Sequence, residues 1–218
     1  MIKKIALGLL SVAVGVVPTM VMLTTPTLAQ SVGVEKGRLE RVILAQTATW
    51  ADVTLRLEDL PGGFTAMPSS EVAKLKEELS QDGMDVENVF AFVGQQQFQL
   101  IMGITTRLET AQQQAEFDEL LRDPEQLKSL LAENLQGTNV PPQALNNINN
   151  IGNVAAGVSL QVDLDGLLGR LEILVLRRNQ MGAFMFVLYR DDDSPVYPIA
   201  QVGRTLDQRI QQVPIRRN

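Results

Sequence analysis

Asp163-Leu164-Asp165-Gly166 and Asp191-Asp192-Asp193 are the two places where acidic residues crowd closely enough in the sequence to raise the question of a divalent cation. The first opens like a calcium loop but lacks the third acidic ligand and the distal glutamate that complete one, so it reads as a hairpin turn. The second holds a cation only if it folds beside Asp163 or Asp165. Taken alone it is a solvated turn that sets negative charge ahead of a helix N-terminus, where the helix dipole favours it. Neither is assigned a metal, and no cofactor is expected. Ser70 and Lys74 are four apart, whereas the Ser-x-x-Lys nucleophile needs a spacing of three, and they read instead as a helix cap and an exposed lysine. Arg177-Arg178 falls at a strand end, where two guanidinium forks suit a carboxylate or a phosphate. A catalytic carboxylate pair can draw its members from distant positions, which keeps a carboxylate-based hydrolase as a third reading. Only Trp50, Tyr189 and Tyr197 are present to stack on a sugar.

Composition closes most other chemical routes. The 218 residues include no Cys and no His. This removes disulfides, thiolate nucleophiles and iron–sulfur clusters, the Ser-His-Asp and HExxH schemes, and most zinc or haem sites. A formal charge of -6 and a pI near 4.8 oppose non-specific nucleic-acid binding, which needs Lys and Arg against phosphate. The charge is uneven: Glu58 to Glu133 carries 15 acids against 5 bases, while Asn134 to Asn218 carries 7 against 8. Glu77, Glu78, Glu116 and Glu119 are therefore the candidate partner-binding residues, on an acidic face that would dock a basic surface. The plainer alternative is that they form solvated helix faces.

These residues need elements to position them. Residues 1–29 have the tripartite form of a secretory signal: Lys3-Lys4, the uncharged apolar run Ile5 to Leu23, then small residues ending in Leu28-Ala29. Cleavage after Ala29 would release a chain beginning at Gln30, destined for a periplasm or a thylakoid lumen. The alternative is an uncleaved anchor, since the run is long enough to span hydrocarbon at about 1.5 Å per residue. No later segment is apolar enough to span, so no membrane crossing is expected once the signal is removed. Residues 30–50 form an N-terminal extension in which Arg38 to Ala45 reads equally as helix or strand.

A single domain is expected over 51–213. Ala51 to Leu57 alternates with period two and predicts a strand, ended by the turn Leu60-Pro61-Gly62-Gly63. After Pro68, a helix through Ser80 places Val72, Leu75 and Leu79 on one stripe. Val86 to Val93 and Phe98 to Leu108 predict a hairpin. Glu109 to Leu121 is helical, and Asp123-Pro124 starts a further helix carrying Leu127, Leu130, Leu131 and Leu135. Gln136 to Asn153, with Pro141-Pro142 and six asparagines, reads as a mobile surface loop. Val154 to Val162, Leu167 to Leu176 and Ala183 to Tyr189 predict an antiparallel meander. A long C-terminal helix follows, with Ile199, Val202, Leu206, Ile210 and Val213 at spacings of three or four, and 214–218 is a polar tail.

This order predicts an α+β fold, an antiparallel sheet with helices on both faces in an α/β/α sandwich. The turn Leu60-Pro61-Gly62-Gly63-Phe64, the runs Gly169-Arg170-Leu171-Glu172-Ile173 and Gly182-Ala183-Phe184-Met185-Phe186-Val187, and the terminal helix together resemble the PsbP-like superfamily. That group of exported proteins also includes lipoprotein domains of the LpqN type. The resemblance spans about Ala51 to Val213 and implies a non-enzymatic accessory or assembly factor. Two departures limit it. A chain without His has no counterpart of the metal-binding histidines of some members, and a chain without Cys lacks the lipid-anchored cysteine. The expected function is an exported, non-catalytic accessory or assembly protein that binds another protein, with a membrane complex as the expected setting. The alternative is a small-ligand carrier with a pocket under the Asn-rich loop, which would show as an apolar cavity.

Overall fold

The computed structural model describes residues 49–81, 85–123, 125, 128–129, 141–164 and 166–213. The signal segment, nearly all of the extension, most of the helix expected after Asp123-Pro124 including Leu127, Leu130, Leu131 and Leu135, and the 214–218 tail lie outside the described residues.

Seven strands form one antiparallel sheet: β1 Phe64–Ala66, β2 Asn88–Gly94, β3 Gln99–Arg107, β4 Gln143–Ala144, β5 Val154–Leu164, β6 Leu167–Arg178 and β7 Met181–Arg190. Their spatial order is β1-β2-β3-β7-β6-β5-β4. Among the described residues three helices can be bounded, α1 Ser69–Gln81, α2 Ala111–Arg122 and α3 Ile199–Gln211, and Glu125, Lys128 and Ser129 are also helical. The chain is thus a mixed α+β fold on an open sheet. The hairpin β2–β3 and the meander β5–β6–β7 fall where the apolar runs placed them, because each run is bounded by turn residues and is rich in side chains that pack on a pleated surface.

Alternation along the central strand β7 explains how one sheet supports two cores. Phe184, Phe186 and Leu188 join one cluster, with Leu75 and Leu79 of α1 and Phe117 and Leu121 of α2. Ala183, Met185, Val187 and Tyr189 join the other, with Ile199, Val202, Leu206 and Ile210 of α3. Every residue of β7 except Arg190 is buried. Gly203 is what lets α3 lie this close to the sheet, since a Cβ there would run into the Leu174 side chain. Three bidentate ion pairs tie α2 and α3 to other parts of the chain. Arg177 grips Asp118 of α2 (2.5 and 2.7 Å), and Arg178 grips Asp207 of α3 (2.7 and 2.6 Å). Arg209 of α3 grips Asp59 (2.8 and 2.6 Å).

The strand expected over Ala51 to Leu57 does not form. Two 3₁₀ turns, Trp50–Asp52 and Leu57–Asp59, take its place. Val53 and Leu55 are buried as the alternation required while Leu57, the third apolar position of the pattern, is exposed, and the backbone finds side-chain partners instead of a ladder. Asn88 Nδ2 donates to the Trp50 and Val53 carbonyls, both at 3.1 Å, and Thr105 Oγ1 also donates to the Val53 carbonyl. Residues 141–153 likewise depart from the expected mobile loop. Gln143–Ala144 pairs with β5, the Leu145 amide donates to the Gly157 carbonyl, and Arg204 Nη2 donates to the Asn147 carbonyl. The asparagines serve the backbone here: Asn147 and Asn150 take the left-handed conformation at φ 64 and 68, which Asn tolerates better than most residues.

Candidate functional site

Glu77 and Glu78 lie on the exposed side of α1, and Glu116 and Glu119 on that of α2. Each helix buries the opposite stripe, Leu75 and Leu79 in one and Phe117, Leu120 and Leu121 in the other. Because both stripes contribute to the same core cluster, the two sets of glutamates belong to helices lying over the same core. Local capping fixes α2: Thr110 accepts from the Gln113 amide, and the Gln113 side chain accepts from the Thr110 amide. At α1 the Pro68 carbonyl, rather than a serine hydroxyl, accepts from Glu71 and Val72.

No ion pair forms at Glu77, Glu78, Glu116 or Glu119 among the described residues. Gln81 donates to Glu77 and Gln112 to Glu116, a contact that leaves the carboxylate charge in place. Other acids of the same segment are neutralised within the fold, Asp59 by Arg209 and Asp118 by Arg177. The acid excess between Glu58 and Glu133 is therefore partly structural, and the glutamates of α1 and α2 are part of what faces solvent.

Arg177 and Arg178 do bind carboxylates through their forks, as their chemistry suggested, but the carboxylates are Asp118 and Asp207 of the same chain. Asp163 Oδ1 accepts from the Gly166 amide at 2.6 Å, and Gly166 sits at φ 88, the geometry of a turn. Asp191 is tied to Arg170 and to Gln161, and Asp192 to Arg190. Among the described residues no group of three or more acidic side chains is placed to hold a metal ion. Nor is any helix among them long and apolar enough to cross a membrane.

The charge at the start of α3 comes from an unexpected residue. Glu172 on β6 accepts from the Tyr189 hydroxyl at 3.0 Å and from the Ile199 amide, the first of α3, whose N-cap residue Pro198 offers no side-chain acceptor. Burial raises the Glu172 pKa against the opposing pull of Tyr189, the Ile199 amide and Arg170. The Tyr189 hydroxyl is pushed well up, by burial first and by the Glu172 charge next. The sequence holds a faint signal for this pair: Glu172 is the one acidic residue of β6, set between the apolar Leu171 and Ile173, and a charge in that position needs a partner.

The sequence matches no protein-family model and no curated protein. Function therefore rests on the residues themselves.

Three apolar side chains of the Asn-rich loop turn inward. Ile151 is buried, and Leu145 and Ile148 pack on the cluster that holds α3.

Proposed function

We propose that this chain is an exported, non-catalytic accessory or assembly protein that recognises a basic surface on another protein, within a membrane complex of a periplasm or lumen. The observation that carries the reading is the set of four unneutralised glutamates on α1 and α2, helices whose apolar stripes share one core. Charges of one sign held on a rigid scaffold steer a complementary partner and contribute more to association rate and specificity than to raw affinity. The α/β/α arrangement belongs to the same reading. It is supported by the adjacent residues Arg177 and Arg178 gripping different helices and by the separate core memberships of α2 and α3. The likeness to PsbP-like proteins agrees with both. The inward turn of Leu145, Ile148 and Ile151 favours a protein partner over a small ligand carried at that place.

Affinity capture from native membranes, read by mass spectrometry, tests the proposal. The wild-type chain is expected to recover a discrete partner set that the variant Glu77→Lys/Glu78→Lys/Glu116→Lys/Glu119→Lys loses by about tenfold or more, with its melting temperature near wild type. Recovery of the same partners in the same yield by the folded variant would contradict it.

A further inference from the structure

The described residues expose five large apolar side chains, and four of them, Phe98, Leu167, Leu168 and Val196, lie at one end of the sheet. Leu167 is 62% exposed and Leu168 56%, values at which a leucine gains little from folding. Both stand beside the turn of the β5–β6 hairpin, where Leu164 pairs with Leu167 and Asp163 with Leu168. As neighbours on one strand they project to opposite faces, so the hairpin end presents an apolar side chain on each side. Phe98 precedes β3 beside the end of β7, since Gln99 pairs with Tyr189. The Val196 loop is drawn to the same end: Gln97 Nε2 donates to the Ser194 carbonyl at 2.8 Å, and Gln99 Nε2 to the Tyr197 carbonyl at 2.7 Å. The Asp191 amide donates to the Leu168 carbonyl, which joins the hairpin to the exit of β7.

We infer that this end of the sheet is an interaction surface for a protein segment bearing apolar side chains flanked by Lys or Arg. The charge of the rim selects that occupant. Asp163 pairs with Leu168 across the hairpin, and Asp191 to Asp193 follow β7 at the same end. Asp191 and Asp192 are neutralised by Arg170 and Arg190, which leaves Asp163 and Asp193 without an ion pair among the described residues and the rim net acidic. A second copy docking through the same patch would set two acidic rims against each other, and an anionic lipid surface would meet the same repulsion. A projecting hairpin end also lacks the concavity that a small molecule needs. An apolar centre with a charged border is the anatomy of a protein–protein contact, in which the centre supplies affinity and the rim supplies orientation.

This inference rests on the reading of the chain as a partner-binding protein, but it uses a surface separate from the acidic helices, so the two can fail independently. The test places a photoreactive phenylalanine analogue at Leu168, at Glu77 or at Gln208, an exposed position on α3, in the full chain within native membranes. The expected result is a cross-link from Leu168 to a partner peptide containing apolar residues flanked by Lys or Arg. Its yield should fall about tenfold or more when Leu167→Ser is added while the melting temperature stays near wild type. Cross-links from Leu168 to lipid, to a second copy of this chain or to a protein peptide without basic residues would overturn the inference. So would a yield no higher than that from Gln208. If Glu77 gives a protein cross-link and Leu168 does not, the acidic helices stand and the hairpin surface falls. The reverse pattern rejects the acidic helices and retains the hairpin.

Discussion

Glu172 shows how a single side chain links the sheet to a helix. Its carboxylate accepts from the Tyr189 hydroxyl and from the first amide of α3, yet burial raises its pKa above that of a solvated glutamate. A group whose folded pKa lies above its unfolded value binds protons more tightly in the folded state. It therefore stabilises the fold below the unfolded pKa, near 4.5, and loses that contribution as pH rises through the raised folded value. Glu172→Gln keeps the shape and removes the ionisation. The melting temperature of the variant, relative to wild type, is expected to climb from about pH 4 to about pH 8, because only the wild type must ionise a half-buried carboxyl over that range. Parallel melting curves across the range would show that Glu172 titrates as a solvated group. The sequence identified Arg177-Arg178 as forks for an anion, and the forks are used; it could not reveal that Asp118 and Asp207 lie within reach, because a pair 59 or 29 residues apart in the chain is a product of the fold.

At the scale of elements, legibility follows the strength of the local pattern. The β5–β6–β7 meander and α3 were plain in the sequence because each is long, apolar on a clear period and bounded by turn residues. Ala51 to Leu57 was misread because burial alternates there without a ladder: Val53 and Leu55 point inward, but Asn88 and Thr105 satisfy the backbone. Alternation reports burial, and only a neighbouring strand makes a strand of it. β4 was missed because two residues carry no period at all. The glutamates of α1 and α2 were legible as charge, while the sharing of one core by both helices was not. Ile210, fully buried at the far end of α3, tests the terminal helix as an element. Ile210→Asp places an unpaired charge in the core and is expected to cost about 4 kcal/mol or more, seen as a large drop in melting temperature. A melting curve close to wild type would mean that α3 does not pack on the sheet.

Across the whole molecule, charge and packing divide the labour. Arg177 and Arg178 of β6 and Arg209 of α3 are consumed in ion pairs that hold α2 and α3. The glutamates on the outer sides of α1 and α2 are left facing solvent, and under the proposed function they set the field that a partner meets. Exposed charges are screened beyond about 8 Å at physiological salt, so a partner steered by them must associate more slowly as salt rises. Packing contacts formed after encounter respond far less, and their effect falls mainly on dissociation. The most direct measurement is the association rate of the captured partner with the wild-type chain and with the Glu77→Lys/Glu78→Lys/Glu116→Lys/Glu119→Lys variant, each across a range of ionic strength. The account predicts a wild-type rate that falls steeply with salt and a variant rate that is at least about tenfold slower at low salt, converging on the wild type at high salt. Equal rates with equal salt dependence would contradict it and leave those glutamates as a solvated surface.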